Sequence, residues 1–358
     1  MSGLRRLAVG ALWAVLATAA FGQVTPAQGV TPPNDTPSFK VGATIFADYT
    51  YQQSPETKDT NGNTIHPSAF NVSRAYINVL GSLNHLISFR VTPDIARESG
   101  SGSALNGSYT FRLKYAFGQL NLDDWTTHGS FVRFGLQQTP WIDYSEGIYR
   151  YRFQGPTFVD REGFLTSSDL GLSGHWNFPG NYGDVHAGFY NGEGYSHPEL
   201  NNEKSFQVRG TLRPLPLGGA LKGLRLTGFV DEDHYAESLK KQRLLGQISY
   251  ESQWANAAIE YLDAKDQTSL AKPQIHAKGW SAWATPKFGG GWEALLRHDN
   301  LKPDATSSLS RKRDILGLAY WFQHMQGVQT ALMVDYDAAK PTTGTKTTAY
   351  GVKMLVNF

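Results

Sequence analysis

Between Thr139 and Ser167 the chain reads TPWIDYSEGIYRYRFQGPTFVDREGFLTS, which concentrates residues suited to acting on a charged solute. Three guanidiniums (Arg150, Arg152 and Arg161) sit among four carboxylates (Asp143, Glu146, Asp160 and Glu162). Charges placed around a narrow passage favour counter-ions and oppose co-ions, so the chemistry they suit is ion selection. The same stretch carries seven aromatics: Trp141, Tyr144, Tyr149, Tyr151, Phe153, Phe158 and Phe164. A structureless connection of this length is usually functional or disordered, and disordered segments are poor in aromatics. This one is therefore expected to pack against something.

Bond-making chemistry has weaker support. His66, His186, His234 and His298 are the histidines that an enzyme could use, and His298-Asp299 is the best acid–base pair among them. No Ser-His-Asp or metal-ligand spacing links them, and nothing in the pattern calls for a cofactor or a metal.

The elements that position this stretch are extended. At the end of the sequence Thr348, Tyr350, Val352, Met354, Val356 and Phe358 alternate with Thr347, Ala349, Gly351, Lys353 and Asn357. The period of two makes a strand with one apolar and one polar face, and Leu355 is the only large apolar residue on the polar side. Val41 to Tyr51 repeats the pattern, as do Leu170 to Phe178, Phe206 to Leu212 and Val328 to Tyr336. So does Tyr109, Phe111, Leu113, Tyr115 and Phe117, five aromatic or aliphatic side chains read as one face. Sixteen strands are expected, near 39–53, 69–80, 84–95, 108–121, 130–138, 167–178, 183–191 and 204–213. The others lie near 222–232, 241–252, 254–264, 274–286, 291–300, 312–323, 327–338 and 346–358, with the parity of 274–286 ambiguous.

Met1 to Gly22 has the Arg5-Arg6 charge, the short apolar run and the small-residue ending of a signal peptide. Residues 23–37 read as a Pro/Thr/Asn-rich linker, leaving 38–358 as the folded unit. Without Arg5 and Arg6 the 33 basic residues fall to 31, equal to the 31 acidic ones, which argues against nucleic acid as a partner. Cysteine is absent, so no disulfide holds the chain. Mean hydropathy is −0.38 although aromatics make up 13%. A barrel that is greasy outside and wet inside combines these properties, because half of every strand faces water.

The expected fold is thus all-β, a transmembrane antiparallel barrel of about sixteen strands. Its odd-to-even connections (54–68, 96–107, 139–166, 192–203, 233–240, 265–273, 301–311 and 339–345) are mostly long, and the even-to-odd ones mostly short. Long loops outside and short turns inside is the asymmetry of bacterial outer-membrane barrels. A barrel of this size encloses an aqueous bore. The 139–166 loop, folded inward, becomes the constriction, with its three arginines facing the solute. The alternative is an outer loop whose charges pair with one another and with lipopolysaccharide. By parity Arg90, Arg112, Lys114 and Arg133 line one wall of the bore, with Arg209, Arg213, Arg225 and Arg243 further round. Asp231, Glu251, Glu260, Glu293, Asp299, Asp335 and Asp337 also face inward, so basic and acidic walls oppose or neutralise each other.

FVRFGLQQTPW followed by FVDREGFLTSSDLGLSGHW resembles the phosphate-selective porin O/P family of outer-membrane channels. Gly135, Gln137, Pro140, Asp160-Arg161 and Asp169-Leu170-Gly171 match its motifs in order. The resemblance implies a trimeric sixteen-stranded channel with the third loop in the pore and basic residues guiding anions. One departure is that the third loop holds no lysine. The expected function is a porin passing small hydrophilic solutes or inorganic ions, biased towards anions or phosphate. Its other partners are outer-membrane lipid, lipopolysaccharide and two further copies of itself. A barrel enzyme and a dedicated solute transporter are the alternatives; the latter would need an apolar lumen or a plug.

Overall fold

The computed structural model describes residues 35–323 and 327–358. The expected signal peptide at 1–22, and all but the end of the 23–37 linker, lie outside them. Sixteen antiparallel strands close on themselves, each paired with its neighbours in sequence. They begin with β1 (Ser38–Ser54), and a small ribbon of β2 (Thr57–Lys58) and β3 (Thr64–Ile65) stands apart in the next connection. The wall continues through β4 (Ser68–Ser82), β5 (Ile87–Arg97), β6 (Tyr109–Asn121), β7 (Phe131–Gln138), β8 (Ser168–Asn177) and β9 (Gly183–Tyr190). Next come β10 (Ser205–Leu212), β11 (Leu224–Ala236), β12 (Leu239–Glu251), β13 (Ala255–Asp266) and β14 (Ile275–Gly289). The last are β15 (Trp292–Lys302), β16 (Arg311–Phe322), β17 (Gln329–Pro341) and β18 (Thr347–Asn357). β18 pairs with β1 from Thr44↔Asn357 onward, which closes the ring and leaves no free edge.

Alternation produces two surfaces. Leu226, Val230, Leu244, Ile248, Ile259, Leu316, Val334 and Val352 stand exposed on the outer face. Their β-branched and aliphatic side chains suit a pleated strand as well as an apolar surround. The ambiguous segment becomes β14, in which Trp280 is exposed outside while Ala277, Ser281 and Trp283 are buried inside.

A local departure in β6 re-aims side chains. Opposite β5 the register passes from Thr92↔Tyr115 to Pro93↔Leu113, so Lys114 is an extra residue in β6. Such a bulge shifts parity by one. Tyr115 and Phe117, expected on the outer face with Tyr109, are therefore buried inside, while Phe111 and Leu113 remain outside. The long connection expected at 233–240 also shrinks, because β11 and β12 extend until only 237–238 links them.

The 139–167 connection has regular structure where none was expected. It holds α1 (Pro140–Tyr149) and α2 (Phe158–Arg161). Proline at the first position is compatible with a helix start, since its missing N–H has no helical partner there. Arg150 ends α1 in the left-handed region at φ 62°, with its N–H on Glu146 O. The base is tied by Thr139 N–H to Ser167 O at 3.3 Å and by the Thr139 hydroxyl on Thr166 O.

Candidate functional site

The loop lies inside the barrel, and apolar packing holds it there. Trp141, Ile142, Phe158, Val159 and Leu165 form one cluster with Phe229, Leu245, Leu262, Ala264, Ala277 and Leu301 of β11–β15. Ile148, Tyr149, Tyr151 and Phe153 join a second with Trp283, Leu295, Ile315, Trp321, Met333 and Leu355. Each fully buried side chain of this size contributes roughly 1.5–3 kcal/mol, against about 0–1 kcal/mol for an exposed ion pair. Apolar burial therefore dominates the docking energy, and polar contacts fix the register. Leu355, the one apolar side chain on the polar side of its strand, is part of this docking surface.

The polar contacts run along the wall from β11 to β17. Thr227 Oγ1 donates to Tyr144 Oη at 2.7 Å, and Asn256 Nδ2 to Ile148 O at 3.3 Å. Arg297 Nη1 donates to Pro156 O at 2.8 Å and to Tyr149 Oη at 3.3 Å. Tyr151 Oη donates to Glu293 at 3.1 Å and accepts from Trp321 Nε1 at 3.1 Å. Gln154 Nε2 reaches Asp335 at 3.1 Å.

All the charged residues of the loop except Asp143 have a partner. Arg150 meets Glu293 at 3.5 Å and lies over the Trp321 ring. Arg152 bonds Glu146 at 2.7 Å and faces Asp160 at 3.6 Å. Arg161 donates to Gln154 at 3.1 Å and lies 3.9 Å from Asp337, while Glu162 meets Arg311 at 2.7 Å. Asp143 is buried with Oδ1 unbonded in the field of Arg133 and Arg90. Burial pushes its carboxyl up to about 6 against the pull of those guanidiniums.

Across from the loop, β4–β7 present a basic wall. Arg90 donates to Asn78 at 2.9 Å and stacks over Tyr115; Arg133 donates to Gln119 at 2.7 Å and stacks over Phe131 and Phe117. Lys114 Nζ sits on Tyr76 Oη at 3.2 Å. Arg74 and Arg112 converge on Asp94 at 2.7 and 2.8 Å. Arg209 pairs with Asp184 and lies over the Tyr144 ring, and Arg225 pairs with Glu251. Water access divides these groups. Arg90, Lys114, Arg133 and Arg209 are no more than 4% exposed, whereas the Arg112 side chain is 36% exposed.

The expected loop and wall residues thus share the interior, with Asp143 and Glu146 on the loop turned towards the β5–β7 bases. Arg74 and Arg297 belong to the same arrangement and escaped the sequence reading. Arg297 had a legible signal, since it shares parity with Glu293 and Asp299. Among the histidines the proposed pair fails. His298 Nδ1 contacts Asp314 at 2.6 Å and its ring packs by Trp280 on the outer face. Asp299 faces inward on Arg297, because adjacent strand residues point to opposite sides. Among the described residues no group of three or more His, Cys, Asp or Glu could hold a metal ion.

No family model and no curated relative matches the sequence. Solved structures do resemble the fold. One is an anion-selective porin from Comamonas acidovorans, 12% identical, with a TM-score of 0.60 over 90% of this chain and 100% of that one. Another is OmpF of Salmonella typhi in complex with daunomycin, 11% identical, TM-score 0.61, covering 90% and 98%. A third is a loop L8 deletion mutant of OmpT, an outer membrane protein of Vibrio cholerae, 12% identical, TM-score 0.59, covering 90% and 100%. At this identity the likeness concerns the fold.

Proposed function

We propose that this chain is an outer-membrane porin, a water-filled channel for passive diffusion of small hydrophilic solutes or ions. The observation that carries this reading is a closed sixteen-strand barrel, apolar outside and charged inside, with its longest connection docked within the lumen. An apolar outer face with a polar interior suits a strand wall between lipid and water. The long-loop end faces outside and the short-turn end, with the start of β1 and the end of β18, faces the periplasm.

The 139–167 loop forms the constriction with the β4–β7 wall. Arg150, Arg152 and Arg161, with Arg112 and Arg74 opposite, bias passage towards anions, and Asp143, Glu146, Asp160 and Glu162 keep that bias modest. The resemblance to phosphate-selective porins supports an anionic solute, as does the anion-selective porin among the structural neighbours. The solved trimer form of the Vibrio cholerae barrel supports a trimer here. Ion conductance of the purified protein in a planar bilayer tests this reading: discrete steps support it, and a sealed bilayer rejects it.

A further inference from the structure

The outer face bears a band of charge that channel function does not use. At the long-loop end, Lys278 of β14 stands directly opposite Lys302 of β15, and Lys312 of β16 stands opposite Lys340 of β17. Lys312 also pairs with Asn300, the outward-facing residue next below Lys302 on β15, so the lysines form a lateral row. Four strands at about 4.8 Å spacing make this row roughly 14 Å wide. Like charges directly opposite across a ladder are destabilising, and here the arrangement occurs twice within four strands.

Local compensation is incomplete. Asp263 lies 3.5 Å from Lys278 but also takes His276 at 2.7 Å. Asp314 lies 3.1 Å from Lys340 but also takes His298 at 2.6 Å. Lys302 and Lys312 are exposed and have no ion pair among the described residues. In the row below stand Trp280, packed 5.1 Å from the His298 ring, with Asn300 and Asp314, and beneath them exposed Leu296, Leu316 and Leu318. A cationic row over an aromatic and then an aliphatic surface matches an amphiphile whose anionic head lies above its acyl chains. The rim of β4–β6 differs, since Phe70, Tyr109 and Phe111 are exposed and Arg97 folds over Tyr109, donating to Gly107 O.

We infer that Lys278, Lys302, Lys312 and Lys340 form a docking surface for a phosphorylated glycolipid headgroup of the surrounding outer leaflet. Phosphate oxygens bridge the opposed lysines and relieve their repulsion, while the acyl chains run down the Leu296–Leu316–Leu318 face. This rests on the orientation given above, with the long-loop end outside.

The test is native mass spectrometry of the purified full-length barrel in detergent with bisphosphorylated lipid A, its dephosphorylated form, and inorganic phosphate. Wild type should retain bisphosphorylated lipid A, and the Lys302→Gln/Lys312→Gln variant should bind it about tenfold more weakly. The Lys302→Arg/Lys312→Arg variant should keep the affinity, showing that charge and not folding is at issue. Equal binding by the Gln variant, equal binding of the dephosphorylated lipid, or displacement by equimolar inorganic phosphate would overturn the inference. So would loss of the oligomer in the Gln variant, which would seat a second copy there. Conductance should be unchanged in the variants; a wild-type barrel that binds the lipid but passes no current refutes the porin reading and leaves the lipid site standing.

Discussion

Phe158 of the loop docked inside the barrel fills the place where a side chain on Gly279 would begin: its Cζ lies 2.6 Å from an ideal Cβ at that glycine. The barrel wall thus has a notch cut for the loop. Gly279→Val should expel Phe158 and also press on Asn300 O of β15, 2.9 Å from the added Cβ, with overpacking costs of about 1–3 kcal/mol shared between loop docking and the β14–β15 ladder. Limited proteolysis should then cut within 150–160 while the barrel keeps its heat-modifiable mobility, and Phe158→Ala should give the same cut. Unchanged resistance in both would mean the loop is held without this contact.

Arg297 is the main polar tie between loop and wall. It bonds Asp299 through two nitrogens at 2.8 and 2.7 Å and also reaches Tyr149 and Pro156. Arg297→Ala leaves the buried Asp299 carboxylate with the Ser281 hydrogen bond and the field of Arg161, a loss on the order of 3 kcal/mol. The unfolding midpoint in urea should fall markedly, and Arg297→Ala/Asp299→Asn should recover part of it. An unaltered midpoint in the single variant would show that the pair contributes nothing.

Asp143 is expected to make selectivity depend on pH. Burial raises its carboxyl to about 6, so it is charged at pH 8 and largely neutral at pH 5. On acidification Arg90 and Arg133 lose their nearest loop counter-charge, and anion preference should rise. The stability linkage has the same sign: a raised carboxyl favours the fold at low pH, and that contribution fades as pH climbs through about 6. Asp143→Asn should remove the dependence and hold the pore at its low-pH selectivity. A variant that titrates like wild type would assign the effect elsewhere.

Much of the wall was legible because alternation survives along nearly every strand, and all sixteen appear close to their expected positions. The signal failed where geometry departs from strict period two. The Lys114 bulge turns Tyr115 and Phe117 inward, and nothing local in the sequence marks the extra residue. Apolar side chains inside the barrel were harder still. Leu355 stood out as an intruder, but its purpose depends on Tyr149, Tyr151 and Phe153, more than two hundred residues away. The loop's aromatics announced packing without naming the partner surface, and its helices were hidden because tertiary burial, more than intrinsic propensity, sustains them.

Phe358 adds two backbone hydrogen bonds to the β1–β18 seam. Phe358 N–H donates to Ala43 O at 3.1 Å and Ala43 N–H to Phe358 O at 3.0 Å, while the ring is exposed at the short-turn end. Deleting Phe358 should lower the yield of heat-modifiable barrel without altering the conductance of the molecules that do fold. A normal yield would show that the remaining β1–β18 ladder suffices.

The most direct test of the account is the reversal potential in a salt gradient at low ionic strength, for wild type and Arg150→Gln/Arg152→Gln/Arg161→Gln. Screening is weakest there, so charges at the constriction act most strongly. Wild type should show a modest anion preference. The variant should shift towards cations, because Glu293, Glu146 and Asp160 lose their cationic partners. Unchanged reversal potential and unchanged conductance in the variant would place the loop outside the permeation path and contradict the account.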